Sequence, residues 1–486
     1  MNKITLKSVY FKKLKGLNNV NIRFSDTLTA IMGVNGSGKT TVIHALSCLY
    51  QPDGNGESHR FPEFFVPNTD ALWNGSELRV ENEIVSAEGT HTIFQSKEYC
   101  KKIDRWSPRY ENRPKRNVYY IGIETCLPDI EKRSTSSRIM YKSEVLHDKL
   151  SKKAIEHCSY ILNKDYSFFI DNSYNEKHFP GVEMKTGLKY SSLSMGSGEQ
   201  RIIKIINVLL NAEAYSLILI DEIDLLLHIS ALRRLIKTVH KIASNKHIQV
   251  VFTTHSLEVT KFSEKVSIQY IQNTSEEEPS LIFERITPEL IYNMTEQAEK
   301  KLCIYVEDEL AKAIINQLVR NNNMSLMVGV ICFGAVENAF TLAASFAINN
   351  DTAGKLIVLD GDRYTSEQEK NAQINKKLSG TECDANERRN SAIGLITEFA
   401  LPPRISPEEF LHEVILRCFD STSEIYTAAN EIKSVSDSHE WIGSICSKLD
   451  MTLADIIRDV FKYAINDDLF KQYICSINDW LLANKN

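Results

Sequence analysis

The chain has 486 residues, of which 43% are apolar and 25% are charged, as in an ordinary globular protein of two or three domains. Its net charge of −6 gives no general reason to expect a nucleic-acid coat or a membrane binder. Ten cysteines without a CxxC pair exclude a zinc ribbon and a disulfide framework. The N-terminus lacks a signal-peptide core, and no segment approaches the ~18 apolar residues of a membrane span. We therefore expect a cytoplasmic protein with no membrane partner.

Strands and helices alternate in the first part of the chain. Apolar residues at every second position predict two half-buried strands before residue 25. An apolar strand at 28–32 then leads through a glycine-rich turn into a helix at 41–49. Proline and glycine at 51–75 predict a surface loop. Further strands and helices follow, up to a buried strand that ends at Ser256.

A second α/β pattern begins after two prolines near residue 290. Strands at 302–306, 327–332 and 355–359 alternate with helices, which predicts a parallel sheet. From about residue 390 the pattern is mostly helical. We therefore expect three parts with these bounds: 1–292, including a small inserted arm at about 51–190; 298–400; and a helical extension at 401–486.

The turn at residues 33–40 fits the phosphate-binding pattern GxxxxGK[ST] and lies between a strand and a helix. Its glycines allow backbone N–H groups to surround phosphate oxygens, and the helix N-terminus adds a positive dipole. Lys39 is expected to reach the β- and γ-phosphates, and the Thr40 hydroxyl is expected to bind Mg²⁺. The predicted ATP-binding residues of this loop are Gly33, Asn35, Gly36, Ser37, Gly38, Lys39, Thr40 and Thr41.

A second nucleotide-site motif follows the apolar strand Leu217–Ile220. This strand delivers Asp221 and Glu222 to the carboxyl edge of the sheet, where ligands of α/β proteins bind. Asp221 suits the Mg²⁺ site, and Glu222 suits the catalytic base that orients the attacking water.

The segment LSMGSGEQ at 193–200 resembles the LSxGxGEQ signature of ABC-type ATPases. The resemblance implies that Ser194 and Gly196 contact the γ-phosphate held by a partner's P-loop, in a head-to-tail pair of heads. It also implies that His255 is the switch histidine. Gln95 is a candidate for the Q-loop glutamine, with an ordinary strand-end residue as the alternative. The interval between P-loop and signature lacks sustained heptads, which predicts a compact head with a small arm.

Acids also follow two strands of the second pattern. Glu307 ends one strand, and Asp360 and Asp362 follow another, so all three are expected at one sheet edge. Clustered carboxylates repel one another unless a cation is present, and Mg²⁺ or Mn²⁺ suits an oxygen site of this kind. We predict that these three residues bind metal and are catalytic. Their arrangement resembles the Toprim domain.

An ABC head followed by a Toprim domain resembles the OLD (overcoming lysogenization defect) family and related ATPases of retron systems. The resemblance implies metal-dependent DNA cleavage or nicking, governed by ATP, in an oligomer of prokaryotic anti-phage defence. The chain departs from the family pattern, since Asp308 replaces a glycine and Ala311 replaces an acid. Glu409 and Glu413, on one helical face, are candidate late acids, with a plain helix N-terminus as the alternative.

Seven basic residues at 101–120, interleaved with aromatic residues, are the best candidate contact with nucleic acid. A solvated face or a protein interface is the alternative.

The sequence thus predicts an ATPase and ATP-regulated, metal-dependent DNA endonuclease that forms a homodimer or larger homo-oligomer through its heads. An ATP-driven sensor or scaffold with a degenerate Toprim domain, acting with a nucleic-acid or toxin partner, is the main alternative. A DNA-repair ATPase that binds broken ends is a second one.

Overall fold

The computed structural model describes residues 3–54, 56–86, 91–132, 139–174, 176–273, 279–295, 302–379, 384–403, 405–435, 437 and 440–485. The chain divides into two compact units, Met1–Ile282 and Phe283–Asn486. This division lies before the boundary expected at 292–298.

Strands and helices alternate throughout the first part of the chain. The strands are β1 (Lys3–Leu14), β2 (Leu17–Arg23), β3 (Leu28–Gly33), β4 (Ser76–Val85), β5 (Thr92–Lys101), β6 (Trp106–Ser107), β7 (Val118–Ile121), β8 (Lys142–Val145), β9 (Tyr166–Tyr174), β10 (Lys177–Met184), β11 (Lys189–Ser191), β12 (Leu217–Ile220), β13 (Gln249–Thr253), β14 (Ser267–Gln272) and β15 (Leu281–Glu284). The helices are α1 (Lys39–Ser47), α2 (Phe61–Phe64), α3 (Lys149–Leu162), α4 (Ser197–Asn211) and α5 (Ile229–Lys246).

A six-stranded sheet in the order β15-β14-β3-β13-β12-β7 forms the centre of the first unit. The β14–β3, β3–β13, β13–β12 and β12–β7 pairs are all parallel. Strand side chains alternate between the two faces. On β12, Leu217 and Leu219 pack in the core that contains α1, whereas Ile218 and Ile220 pack in the core that contains α3, α4 and α5. Burial on both faces explains why these strands are continuously apolar.

Two antiparallel sheets complete this unit, in the orders β2-β1-β4-β5-β6 and β11-β10-β9-β8. The expectation of one inserted arm at 51–190 is therefore wrong, because β7 within that interval pairs with β12 of the central sheet. The interval also supplies β4 and β5 to the sheet that contains β1. The surface loop expected at 51–75 instead anchors Phe61 and Phe65, which are fully buried.

The second unit begins with α6 (Pro288–Thr295) and then builds a parallel sheet, as predicted. Its strands are β16 (Leu302–Val306), β17 (Val328–Cys332), β18 (Lys355–Leu359) and β19 (Ile396–Glu398). They lie in the order β17-β16-β18-β19, with parallel pairing throughout. The helices among them are α7 (Glu309–Asn321), α8 (Glu337–Ile348), α9 (Glu367–Lys377) and α10 (Ala385–Gly394).

Helices follow the last strand, also as predicted. They are α11 (Pro407–Cys418), α12 (Glu424–Glu431), α13 (Glu440–Leu449), α14 (Leu453–Ala464) and α15 (Asp468–Ala483). Their apolar faces share one core with β16, β18 and α7, so the C-terminal helices are packed as part of this unit. In the residues that the structure describes, no helix is both long enough and apolar enough to cross a membrane.

Candidate functional site

The glycine-rich loop joins β3 to α1 at the carboxyl edge of the central sheet. Gly33, Gly36 and Gly38 all have positive φ, at 149°, 81° and 96°. A Cβ at Gly33 would lie 2.5 Å from the carbonyl oxygen of Ile271, so both the conformation and the space require glycine there. The loop tip, including Asn35, is exposed and its backbone is accessible to a ligand.

Lys39 is the first residue of α1, and its side chain returns over the loop. Its Nζ donates to the carbonyl oxygens of Gly33 and Val34, both at 2.9 Å. Burial lowers the pKa of Lys39, opposed by the acids Glu222 and Asp221. Ser37 and Thr41 are buried beside it. The loop therefore holds one ammonium group against its own backbone, where a phosphate chain would replace carbonyl contacts with stronger, charged ones.

Asp221 lies one residue beyond β12 and is 1% exposed. Its Oδ1 accepts hydrogen bonds from the hydroxyls of Thr40, at 3.2 Å, and Thr253, at 2.7 Å. Its buried Oδ2 has no hydrogen-bond partner among the described residues. A hydroxyl and a carboxylate with a free oxygen are ligands that suit Mg²⁺. Thr40 and Asp221 therefore fit the Mg²⁺ ion that accompanies a nucleoside triphosphate.

Glu222 follows in a left-handed conformation, with φ at 52°. Its N–H donates to the Thr253 hydroxyl at 2.6 Å. Its carbonyl and that of Asp221 accept from Arg201, whose side chain is fully buried, at 2.8 and 2.5 Å. Arg201 was not among the residues predicted from the sequence, although it directly follows the signature segment. This guanidinium fixes the backbone that presents both acids.

The signature segment runs into α4 with Ser194 and Gly196 exposed. Glu199, by contrast, is buried and accepts hydrogen bonds from Lys164, Tyr166 and Tyr190 at 2.5 to 2.8 Å. The segment is thus anchored from beneath by its glutamate, while its serine and glycine face solvent.

His255 lies two residues beyond β13 and is exposed at the same sheet edge. Gln95 does not lie there, because it pairs with Asn82 in the antiparallel sheet. Of the two interpretations left open for Gln95, the structure therefore favours the ordinary strand residue over the Q-loop glutamine. A different residue takes the place beside the metal position: Glu124, just beyond β7, lines a cavity of about 430 Å³ together with Thr40 and Asp221.

The basic segment at 101–120 is only partly a surface feature. Arg113 and Arg116 are buried and donate to Cys48 and Tyr215 carbonyl oxygens, at 2.5 and 3.0 Å. The buried Lys101 ammonium donates to the carbonyl of Leu72. Trp106 stacks on the buried Phe61 ring, with centroids 4.0 Å apart. The side chains of Lys101, Arg113 and Arg116 are therefore part of the protein interior. The four basic residues of the segment that are exposed are Lys102, Arg105, Arg109 and Lys115.

The second acid-bearing edge belongs to the parallel sheet of the second unit. Glu307 follows β16 and Asp360 follows β18, and these strands are direct neighbours, with Val306 opposite Val358. Burial, with the charges of Asp362 and Asp308, raises the pKa of Glu307 to about 7. Burial, with the charges of Asp308, Glu307 and Asp362, raises the pKa of Asp360 to about 9. The predicted acids therefore do come together.

The residues that depart from the family pattern have other tasks. Asp308 caps α7, since its Oδ1 accepts from the N–H of Ala311 at 2.8 Å. Glu309 is exposed and pairs with Lys312 at 3.3 Å. Ala311 is buried in the core. The acid expected at position 311 would therefore have been buried beneath the helix N-terminus.

The two candidate late acids, Glu409 and Glu413, differ in their surroundings, although they were predicted to share one helical face. Glu413 is exposed, whereas Glu408 is 5% exposed and its charge acts on Asp360. Glu409 lines a cavity of about 570 Å³ together with Asp362 and Ser406. Within the described ranges, no three His, Cys, Asp or Glu side chains are placed to hold one metal ion. The donor chemistry at this edge, with several carboxylate oxygens in mutual repulsion, nevertheless suits a hard divalent cation.

Residues 105–260 match a family described as "AAA domain, putative AbiEii toxin, Type IV TA system". No curated protein matches the chain. The chain is similar to the SMC head domain from Thermotoga maritima, at 14% identity over 57% of this chain and 98% of that one, with a TM-score of 0.34. It is also similar to an Smc head bound to the C-winged helix domain of ScpA, at 15% identity over 58% of this chain and 98% of that one, with a TM-score of 0.37. A third similar structure is a dimeric post-hydrolysis ATP-binding cassette bound to ADP and Pi, at 15% identity over 56% of this chain and 94% of that one, with a TM-score of 0.29.

The class of the protein follows from the site, the sheet order and the AAA-family match. The chain is an α/β protein with a P-loop ATPase head, a second unit built on a parallel sheet, and C-terminal helices. The predicted fold class is confirmed. An ATPase head of this type binds ATP with Mg²⁺.

Proposed function

We propose that this protein is an ATP-regulated, divalent-metal-dependent DNA endonuclease of prokaryotic anti-phage defence, with a Toprim-like second unit. The observation that carries the proposal is the pair of adjacent parallel strands that end in Glu307 and Asp360. A nucleotide-binding head on the same chain supplies a means of regulating that site. The description of the matched family, which names a toxin of a toxin–antitoxin system, is consistent with a defence role.

In the head, the chain's residues would bind and orient the nucleotide. The loop glycines and Lys39 would hold the phosphates, and Thr40 and Asp221 would hold Mg²⁺. Glu222 would accept a proton from the attacking water, because it lies next to Asp221 on a backbone fixed by Arg201. Exposure of Ser194 and Gly196 supports their proposed contact with the nucleotide of a second copy, and His255 would contact the γ-phosphate of the nucleotide that this chain's own loop binds.

In the second unit, Glu307, Asp360 and Asp362 would hold Mg²⁺ or Mn²⁺, which when bound stabilises the charge that develops on a cleaved phosphodiester. The protein's own contribution is to gather these carboxylates at one edge, with Glu307 and Asp360 partly buried and Asp362 exposed. That arrangement makes the binding of a cation favourable, because a cation relieves the repulsion that raises the pKa values of Glu307 and Asp360. Lys102, Arg105, Arg109 and Lys115, which remain exposed, are the proposed DNA contacts of the basic segment.

The test is incubation of the purified protein with supercoiled plasmid and Mg²⁺ or Mn²⁺, with and without ATP. We expect nicking or linearisation that Asp360→Ala and Asp362→Ala abolish while ATP binding is unchanged. Asp351→Ala is the matched control, because this acid is 64% exposed in the same unit and pairs with Lys355. Cleavage that persists in Asp360→Ala would remove the active-site assignment.

A second function is favoured by two observations: the buried alanine at position 311 and the absence, among the described residues, of three metal-ligating side chains in one place. Both fit an ATP-driven sensor or scaffold with a degenerate Toprim unit that controls a nucleic-acid or toxin partner. Intact ATPase activity without cleavage under either metal would support it. A nucleic acid or protein that co-purifies with the chain and dissociates on ATP addition would identify the partner.

A further inference from the structure

Tyr473 lies on the C-terminal helix α15 and is fully buried. Its ring stacks on Phe399, with centroids 4.7 Å apart and planes 15° from parallel. Phe410 packs against the same ring at 4.7 Å. The two phenylalanines fix the direction of the phenol, so its hydroxyl has a defined place in the unit.

The contacts of this ring lead directly to the acidic edge. Phe399, just beyond β19, donates its N–H to the carbonyl of Leu359 at 3.0 Å, and Leu359 is the residue before Asp360. The next residue, Ala400, donates its N–H to the backbone carbonyl of Tyr473 at 3.1 Å. Helix α15 is thus fastened to the strand end that carries Asp360. Phe410, on the other side of the ring, lies two residues beyond Glu408 on α11.

The phenol hydroxyl is an unused donor. It has no hydrogen-bond partner among the described residues, and an unsatisfied buried hydroxyl lowers stability. Its surroundings are acidic, because burial and the charges of Asp360, Asp308 and Glu408 raise the pKa of Tyr473. A phenol hydroxyl can donate one hydrogen bond, and carboxylate oxygens are strong acceptors for it.

We propose that Tyr473 is a positioning residue of the acidic site, whose hydroxyl donates a hydrogen bond to the Asp360 carboxylate when a divalent cation is bound. Asp308 is the poorer acceptor, because it already caps α7. Helix α15 thereby becomes part of the cation site, although it lies more than 100 residues beyond Asp362 in the sequence. This inference rests on the proposed cation-binding function of Glu307, Asp360 and Asp362.

The test compares the wild type with Tyr473→Phe, which removes the hydroxyl and keeps the ring. Binding of Mn²⁺ alone is followed by electron paramagnetic resonance and by the Mn²⁺-induced rise in Tm. Asp360→Asn defines the binding that belongs to this site rather than to the head. Tyr305→Phe is the matched control. Tyr305 is also buried, in β16 of the second unit, but the charges of Asp360, Asp308 and Glu408 are not among the causes of its raised pKa.

We expect Tyr473→Phe to weaken the Asp360-dependent Mn²⁺ binding about tenfold, or about 1.4 kcal/mol. Without metal its Tm should equal or exceed that of the wild type, because an unsatisfied hydroxyl is removed. A lower Tm with unchanged Mn²⁺ affinity would show a merely structural role and overturn the inference. If the wild type and Tyr473→Phe show equal Asp360-dependent Mn²⁺ binding, the role of Tyr473 is overturned but the proposed metal site is not. No Asp360-dependent binding in the wild type would overturn the proposed nuclease site with it.

Discussion

Each unit of this protein presents acids at the carboxyl edge of a parallel sheet, but the two edges treat the charge in opposite ways. In the head, Asp221 accepts hydrogen bonds from two threonine hydroxyls, and Lys39 lies close enough for its pKa to respond to the acid. In the second unit, Asp360 is surrounded by other carboxylates, and its pKa rises to about 9.

This difference in the neighbours of the acids suits the two edges to different ligands. An edge with a lysine, a helix N-terminus and one buried acid is suited to an anionic phosphate chain that arrives with its own cation. An edge at which several carboxylates gather attracts a cation first and a phosphate afterwards. The same α/β framework can therefore place a nucleotide site and a candidate metal site on one chain, because strand-end residues rather than the sheet determine the chemistry.

The largest effect should come from the arginine that rigidifies the head edge. Arg201→Met leaves the carbonyls of Asp221 and Glu222 without their donors, and we expect a loss of about 3 kcal/mol in the free energy of unfolding. Urea denaturation measures it. Arg233→Met, which removes an arginine that is 48% exposed, is the control and should cost well under about 1 kcal/mol. Equal losses in the two variants would contradict a special role for Arg201.

The nucleotide preference of the head edge depends on Lys39. Lys39→Met should weaken ATP binding about 100-fold, or about 2.7 kcal/mol, because the charged contact with the phosphates is lost. Fluorescent-nucleotide titration is the measurement. Lys12→Met, at an exposed lysine of β1 that pairs with Glu77, should bind as the wild type does. Unchanged affinity in Lys39→Met would show that this loop is not the nucleotide site.

At the acidic edge of the second unit, removing a charged group should stabilise the fold. Asp360→Asn is expected to raise the free energy of unfolding by on the order of 2 kcal/mol at pH 7 without metal, since it removes a partly buried acid whose pKa is raised by burial and by the charges of Asp308 and Glu307. Asp221→Asn should not stabilise the protein, because Asp221 accepts two hydrogen bonds that the amide only partly retains. Destabilisation by Asp360→Asn would show that the carboxyl serves the fold.

The smallest effect concerns an acid of the second unit with a cationic partner. Arg417 donates to both oxygens of Asp467 at 2.8 Å and lowers its pKa to about 2. Because the folded-state pKa is depressed, this stability is present above about pH 4 and is lost as the pH falls towards 2. Asp467→Asn should therefore cost about 1 kcal/mol at pH 7, and this cost should shrink as the pH falls through 2.

Urea denaturation at several pH values follows this difference. Asp468→Asn, at the fully exposed neighbouring acid, is the control and should show no such pH dependence. A constant difference between Asp467→Asn and the wild type across the pH range would contradict the role of Arg417.

Local patterns were sufficient for much of this protein. The P-loop, the strand that ends in Asp221 and the strands that end in Glu307 and Asp360 were predictable, because apolar strand runs and glycine turns are short-range signals. Glu124 could not be predicted from the sequence, because pairing of β7 with β12, nearly 100 residues apart, brings it to the cavity that Thr40 and Asp221 also line. The basic segment was overestimated, since burial of Arg113 and Arg116 depends on carbonyl partners from other elements.

The sequence by itself determined the α/β class, the phosphate loop and the acids at the strand ends, because these follow from periodicity and from the rule that parallel strands present their carboxyl ends at one edge. Only the tertiary structure decided which neighbours these groups meet. It placed Arg201 beneath Asp221 and Glu222, and it fastened the C-terminal helix that carries Tyr473 beside the strand end that precedes Asp360. Such neighbours come from distant parts of the chain, and their burial and charge set the behaviour of each site.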